Sequence, residues 1–163
     1  MQPGQIGPLS HSRAVAWATR LALCLAVHGC STATGGAVEL SWKLKAASGS
    51  NANFIDCSNT SQLPPPPQLI RLRWQDAGND GGFGFAQWDC SDGHGVTGFA
   101  LAPGQALLDV VPICPNGQAP PADTYSAPAP VQRAVIAGDT IDLNAIEIVL
   151  QTSSCNLQPC ACQ

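Results

Sequence analysis

Strict alternation of apolar and polar residues in two segments is the feature that most constrains the fold of this chain. In residues 37–46, AVELSWKLKA, every second side chain is apolar and the intervening ones are polar or charged. The same alternation recurs in residues 69–75, LIRLRWQ. Successive side chains of a β-strand point to opposite faces of its sheet, whereas a helix repeats about every 3.6 residues. Both segments are therefore predicted to be strands with one buried face.

Further short segments have the composition of strands and are separated by turns rich in Gly and Pro, with no helical period after residue 36. In the last of them the apolar phase slips near Asn144 and Ala145, which predicts a β-bulge. Residues 96–101 and 105–114 are expected to form a hairpin, and residues 115–130 a long loop. About seven short strands predict an all-β, antiparallel Greek-key sandwich. The additional strands are expected at residues 83–90, 96–101, 105–114, 131–136 and 140–152.

One stretch resembles a known family of β-sandwiches. Residues 98–104 read GFALAPG, and Leu107, Leu108 and Val110 follow. This pattern is similar to that of carboxypeptidase-regulatory or transthyretin-like domains, with Leu107 at the position where the family has an aromatic residue. The resemblance covers about residues 95–150. It implies a transthyretin-like sandwich and says nothing about activity.

The front of the chain has the three parts of an export signal. Arg13 and Arg20 supply positive charge, residues 21–27 are apolar, and small residues follow. A transmembrane helix needs about 20 apolar residues, and this run is much shorter. We therefore expect residues 1–29 to be a removable leader, followed by a single domain at residues 37–163.

The leader ends in Val-His-Gly-Cys at residues 27–30, which resembles the lipobox of bacterial lipoproteins. In that family the cysteine is joined to diacylglycerol, the chain is cut before it, and the new amino terminus is acylated. The resemblance implies that Cys30 carries palmitate-type lipid, that residues 30–36 are a short tether, and that Ser31 directs the protein to the outer membrane of a Gram-negative bacterium. The alternative is a cut after Ala33, which would yield a secreted protein without lipid.

Six cysteines follow the leader, an even number that indicates three disulfides in an oxidising compartment. We expect one disulfide between Cys57 and Cys90 and a second between Cys114 and one of three tail cysteines. The other two tail cysteines would pair with each other, with Cys155 as the better internal partner. A cysteine metal site in the tail is the alternative, which export disfavours, so no metal or cofactor is expected. The tail cysteines are Cys155, Cys160 and Cys162.

The residues after the leader carry eleven carboxylates and five Lys or Arg, a net charge of −6. Because affinity for nucleic acid depends on cations that contact phosphates, we expect no nucleic acid partner. Four of the five cations occupy outward positions of two predicted strands. If these strands pair, the cations form a basic stripe for lipid headgroups or lipopolysaccharide phosphates; if the strands lie in opposite sheets, the stripe does not exist. The four cations are Lys43, Lys45, Arg71 and Arg73.

His94 is the single histidine after the leader. With Asp89 and Asp92 it could form the centre of a small envelope hydrolase or metal-dependent enzyme, or these residues could be polar turn residues. No nucleophile elbow or phosphate-binding loop accompanies them. We therefore expect a non-catalytic, membrane-anchored envelope lipoprotein that is structural or binds a ligand. Envelope polysaccharide, lipopolysaccharide or another envelope protein would be its partner, with residues 53–68 and 115–130 as contact loops.

Overall fold

The computed structural model describes residues 32–47, 54–59, 64–78, 82–152 and 159–163. The predicted leader and Cys30 lie outside these residues. In the described part of the chain the regular structure is β, apart from one 3₁₀ turn at Cys90–Asp92. The strands are β1 (Ala37–Ala46), β2 (Leu69–Asp76), β3 (Phe83–Asp89), β4 (His94–Val96), β5 (Gly104–Ile113), β6 (Tyr125–Ser126), β7 (Val131–Val135) and β8 (Thr140–Leu150).

The eight strands form two sheets of four. Sheet 1 has the order β4-β1-β8-β6, and sheet 2 has the order β3-β2-β5-β7. Strands β2 and β3 pair over seven residues, from Leu69 opposite Asp89 to Gln75 opposite Phe83. One apolar cluster draws residues from both sheets, so the arrangement is that of a β-sandwich.

The alternating strands supply the core, as the sequence predicts. The inward side chains of β1 and β2 are almost completely buried, and those of β5 and β8 pack against them. Each such side chain contributes about 1.5–3 kcal/mol on full burial. These core residues are Val38, Leu40, Trp42 and Leu44 from β1, Ile70 and Leu72 from β2, Leu108 and Val110 from β5, and Ile146, Ile148 and Leu150 from β8.

Three tryptophans contribute to this core. Trp42 is 4% exposed, and its indole Nε1–H donates a hydrogen bond to the carbonyl oxygen of Cys90 at 2.8 Å. Its ring centroid lies 6.0 Å from that of Trp88, and Trp74 and Trp88 are partly buried against the core. These three side chains therefore anchor the interior.

The predicted antiparallel sandwich is wrong in one respect, because β1 and β8 pair in parallel over their whole length. The pair runs from Ala37 opposite Thr140 to Ala46 opposite Leu150. Alternation predicts which face of a strand is buried but carries no information on the direction of its neighbour, so the sequence could not reveal this pair.

The predicted hairpin between residues 96–101 and 105–114 does not form. Strand β4 lies at His94–Val96 in sheet 1 and β5 lies in sheet 2, so the chain crosses between sheets here. The segment at residues 115–130, predicted to be a loop, contains the two-residue strand β6, which pairs with the end of β8. Both short strands are too brief for a period of two to be visible in the sequence.

The predicted bulge in β8 is present. The register of the β1–β8 pair shifts after Asp142, so that Ser41 lies opposite Ala145. The intervening Asn144 has a φ of 59°, and its N–H donates to Oδ1 of Asp142 at 2.6 Å. Asn and Asp tolerate the left-handed region better than other non-glycine residues, because their side chains hydrogen-bond locally.

Gly35 and Gly36, at the end of the predicted tether, hydrogen-bond to the backbone of the sandwich. Gly36 exchanges backbone hydrogen bonds with Leu101 at 2.9 and 3.2 Å, and the carbonyl oxygen of Gly35 accepts one from Gly138 at 2.9 Å. A Cβ atom on Gly35 would lie 2.6 Å from the carbonyl oxygens of Phe99 and Leu101. The close backbone approach at this position therefore requires glycine.

Candidate functional site

His94 lies on the exposed outer face of sheet 1, where its side chain contacts a carboxylate that the sequence did not suggest. Its Nε2 lies 2.9 Å from Oε1 of Glu39, and both side chains are about half exposed. Asp89 ends β3 in the other sheet, and Asp92 closes the 3₁₀ turn. The observed partner of His94 is thus Glu39 on β1 rather than either aspartate.

The Glu39–His94 pair arises from strand register. In the β1–β4 ladder Glu39 lies opposite Val96 and Ser41 lies opposite His94, which brings residues 55 positions apart onto one face. The outward phase of Glu39 was visible in the sequence, but its neighbour was not. In the described residues, no group of three or more His, Cys, Asp or Glu side chains is placed to hold a metal ion.

The four outward cations do not form one basic stripe, because β1 and β2 belong to different sheets. The expectation of a single anion-binding surface made by Lys43, Lys45, Arg71 and Arg73 is therefore wrong. The physical reason is that the connection between β1 and β2 crosses from one sheet to the other. The cations are divided into one pair on each outer face of the sandwich.

Each pair is engaged with neighbouring side chains. On sheet 1, Lys45 forms an ion pair with Glu147, and the ammonium groups of Lys43 and Lys45 lie 5.3 and 5.6 Å from the ring centroid of Phe54. These contacts are cation–π interactions at an exposed site, each contributing about 0.5–1 kcal/mol.

On sheet 2, Arg73 forms an ion pair with Asp109. Arg71 donates from Nε and Nη2 to Oε1 of Gln87 at 3.2 and 3.0 Å, and its guanidinium carbon lies 5.0 Å from the ring centroid of Phe85. Both arginine side chains are therefore engaged with neighbours on the outer face of sheet 2.

Between residues that the structure describes, two disulfides link distant parts of the sandwich. Cys57 bonds to Cys90, the pair that the sequence predicts, and Cys114 bonds to Cys162, one of the three tail cysteines expected. Cys160 is also disulfide-bonded. The predicted partner of Cys160 is Cys155, which lies outside the described residues.

A cavity of about 390 Å³ opens beside the Cys57–Cys90 disulfide. Phe54 stands at its rim, 58% exposed, within one of the predicted contact loops. Asp56 accepts hydrogen bonds from Oγ of Ser58 at 2.7 Å and from its backbone N–H at 2.9 Å, and these lower the pKa of the Asp56 carboxyl below its usual value. The cavity thus carries a carboxylate whose pKa is lower than that of an ordinary aspartate.

A second cavity, of about 300 Å³, lies where β5 and β7 of sheet 2 face β8 of sheet 1. We call it the crevice. Its lining is apolar except for Arg133, the one charged residue among the described residues that line it. The sequence contained no sign of this opening, because it depends on which strands face each other. The lining residues are Leu108, Val110, Pro128, Ala129, Val131, Arg133, Leu143, Ala145 and Ile146.

The described residues contain no helix of the length and hydropathy needed to cross a membrane. Comparison with known protein families, curated proteins and solved structures finds no match to this chain.

Proposed function

We propose that this chain is a lipoprotein of the Gram-negative cell envelope, anchored in the outer membrane through an acylated Cys30. Its body is a non-catalytic binding or structural sandwich. The observation that carries the proposal is the Val-His-Gly-Cys sequence at residues 27–30, which directly follows an apolar run with two arginines before it. The disulfides at Cys57 and Cys114 agree with an exported protein, because such bonds persist in oxidising compartments.

The packing of Gly35 and Gly36 into the sandwich supports a body held close to a membrane. Only residues 31–34 then lie between the lipidated cysteine and the packed backbone. The five steps from Cys30 to Gly35, at about 3.3–3.6 Å each, reach about 17 Å when fully extended. Two or more acyl chains make such attachment stable, whereas one holds a protein only marginally.

The finer fold assignment belongs to the same proposal. We assign the body to the transthyretin-like, Greek-key type on the resemblance of residues 98–104 and the following Leu107 to that family. The proposed partners are envelope polysaccharide, lipopolysaccharide or another envelope protein.

Mass spectrometry of the mature amino terminus tests the proposal. The full chain, expressed in a Gram-negative host fed an alkyne-labelled palmitate, is expected to begin at an acylated Cys30 and to fractionate with the outer membrane. The matched variant Cys30→Ala should incorporate no label and leave the membrane fraction. A mature chain that begins at Thr34 would instead show secretion without lipid and overturn the anchoring.

A further inference from the structure

The crevice exists because the two sheets end differently at one side of the sandwich. In sheet 2, β5 is covered along its edge by β7, from Gly104 opposite Val135 to Leu108 opposite Val131. In sheet 1 the outer neighbour of β8 is β6, which pairs only with Val149 and Leu150. The first part of β8 pairs with β1 on its inner edge, but no described strand pairs with its outer edge, and the interior opens to solvent between β7 and β8.

Small and partly exposed side chains line this opening. Ala129 and Ala145 fill little space, and Val131 and Leu143 are only half-buried although they pack against the core. A concave, mostly apolar site with few polar groups is the usual form of a small-molecule pocket, and the volume of about 300 Å³ is at the lower end of the usual range.

Arg133 supplies the polar group of the crevice. Its guanidinium donates to the carbonyl oxygen of its neighbour Gln132 at 3.1 Å. In the described part of the chain it has no carboxylate partner, unlike Arg73 and Lys45. An arginine has five N–H donors in a geometry that matches a carboxylate. Most of the hydrogen-bonding capacity of Arg133 is therefore available to a ligand in the crevice.

We propose that the crevice binds a free medium-chain alkyl carboxylate, with the chain between the sheets and the carboxylate on Arg133. The volume is about ten times the roughly 30 Å³ that one water occupies in the liquid, and a methylene group has a similar size. A chain of about eight to twelve carbons therefore fits. This inference names the ligand of the proposed binding body and rests on that role, but it does not require the lipid on Cys30.

Photolabelling of the full chain in its host membrane tests the site. The probes are a decanoic acid and the matching decanol, each carrying a diazirine on the alkyl chain. The acid is expected to label peptides that contain Val131 or Leu143, and excess decanoate should displace it. Equal labelling of peptides from the outer face, such as those that contain Phe83, would overturn the site.

Matched variants test the role of the arginine. Arg133→Gln should lower labelling by the acid about five- to tenfold and leave labelling by the alcohol unchanged. The control Lys43→Gln removes an equal charge from the outer face of sheet 1 and should leave labelling by both probes unchanged. Ala145→Leu, which fills the crevice, should abolish labelling by both probes. Unchanged labelling by the acid in Arg133→Gln, or a tenfold preference for decyl phosphate as competitor, would overturn the carboxylate assignment.

Cys30→Ser separates this inference from the anchoring. Labelling retained in that variant supports the crevice whether or not Cys30 is acylated. Its loss in a variant that still forms the Cys57–Cys90 disulfide would show that the signal came from the anchor and would overturn the inference.

Discussion

Two sides of the sandwich each carry a crossing from sheet 2 to sheet 1 but differ in the side chains that lie between the sheets. On one side, the chain passes from β3 through the 3₁₀ turn into β4, and Trp42, Trp88 and the Cys57–Cys90 disulfide pack against the core. We call this the tryptophan side. On the other, the chain passes from β7 to β8, and small residues such as Ala145 leave the crevice.

The difference shows that the side chains at a crossing and the strands beside it together decide what lies between the sheets. On the tryptophan side, two indole rings and a disulfide pack against the core, and the cavity of about 390 Å³ beside the disulfide has polar residues such as Asp56 and Ser58 in its lining. On the crevice side, no described strand pairs with the outer edge of the first part of β8, and no aromatic side chain is among the described residues that line the crevice. Buried aromatic side chains contribute stability, whereas an apolar opening can hold a ligand.

Truncation on the tryptophan side should have the largest effect. Trp42→Ala removes a buried indole and leaves the carbonyl of Cys90 without its hydrogen bond, so we expect the free energy of unfolding to fall by about 3–5 kcal/mol. Leu143→Ala at the crevice should cost only about 1 kcal/mol, because this side chain is only partly buried. Denaturant unfolding of both variants measures the difference, and equal losses would contradict the contrast between the two sides.

Replacing a small residue with a larger one tests the same contrast, with smaller expected effects on stability. A Cβ atom on the buried Gly95 would lie 2.8 Å from Cε3 of Trp88, and closer still to two other atoms of the ring. Gly95→Ala should therefore cost about 1–3 kcal/mol through overpacking. Ala145→Leu at the crevice should change stability by less than about 0.5 kcal/mol, because the added atoms enter open space. Thermal unfolding compares the two, and a large loss in Ala145→Leu would show that the crevice is already filled.

The smallest expected effect concerns Asp56 at the cavity beside the Cys57–Cys90 disulfide. Ser58→Ala removes the side-chain hydrogen bond that lowers the pKa of Asp56, so this pKa should rise toward its usual value. A lowered pKa contributes stability above the unfolded-state value and loses it as pH falls through the folded-state value. The stability difference between the native chain and the variant should therefore shrink in acid.

An NMR titration of the Asp56 carboxyl measures this pKa directly. Ser91→Ala is the control, because Ser91 lines the same cavity while the hydrogen bonds of Asp56 come from Ser58. An unchanged pKa in Ser58→Ala would show that these hydrogen bonds do not persist in solution.

Much of the fold was predictable because long strands carry a strong local signal. The alternation in residues 37–46 and 69–75 placed β1 and β2 to within one residue, and the phase slip placed the bulge at Asn144. Short strands could not be found in this way. Strand β4 has three residues and β6 has two, and their formation depends on neighbours distant in sequence.

The candidate sites were less predictable than the strands. Alternation assigned Lys43 and Arg71 correctly to outward faces, but it could not assign them to a sheet, and the predicted stripe failed for this reason. The same limit concealed the contact of His94 with Glu39, which depends on register across 55 positions. The crevice was invisible because it arises where two sheets end at different strands.

The amino-acid sequence by itself determined that the body is built from strands, which side chains face inward and where β8 bends. The tertiary structure decided which strands are neighbours, that β1 and β8 run parallel, and which side of the sandwich remains open. The physical reason is that burial of a side chain follows from its own chemistry and local period. Ladder hydrogen bonds, in contrast, are made by a backbone that is the same at every residue, so only the packing of the whole chain selects the partners.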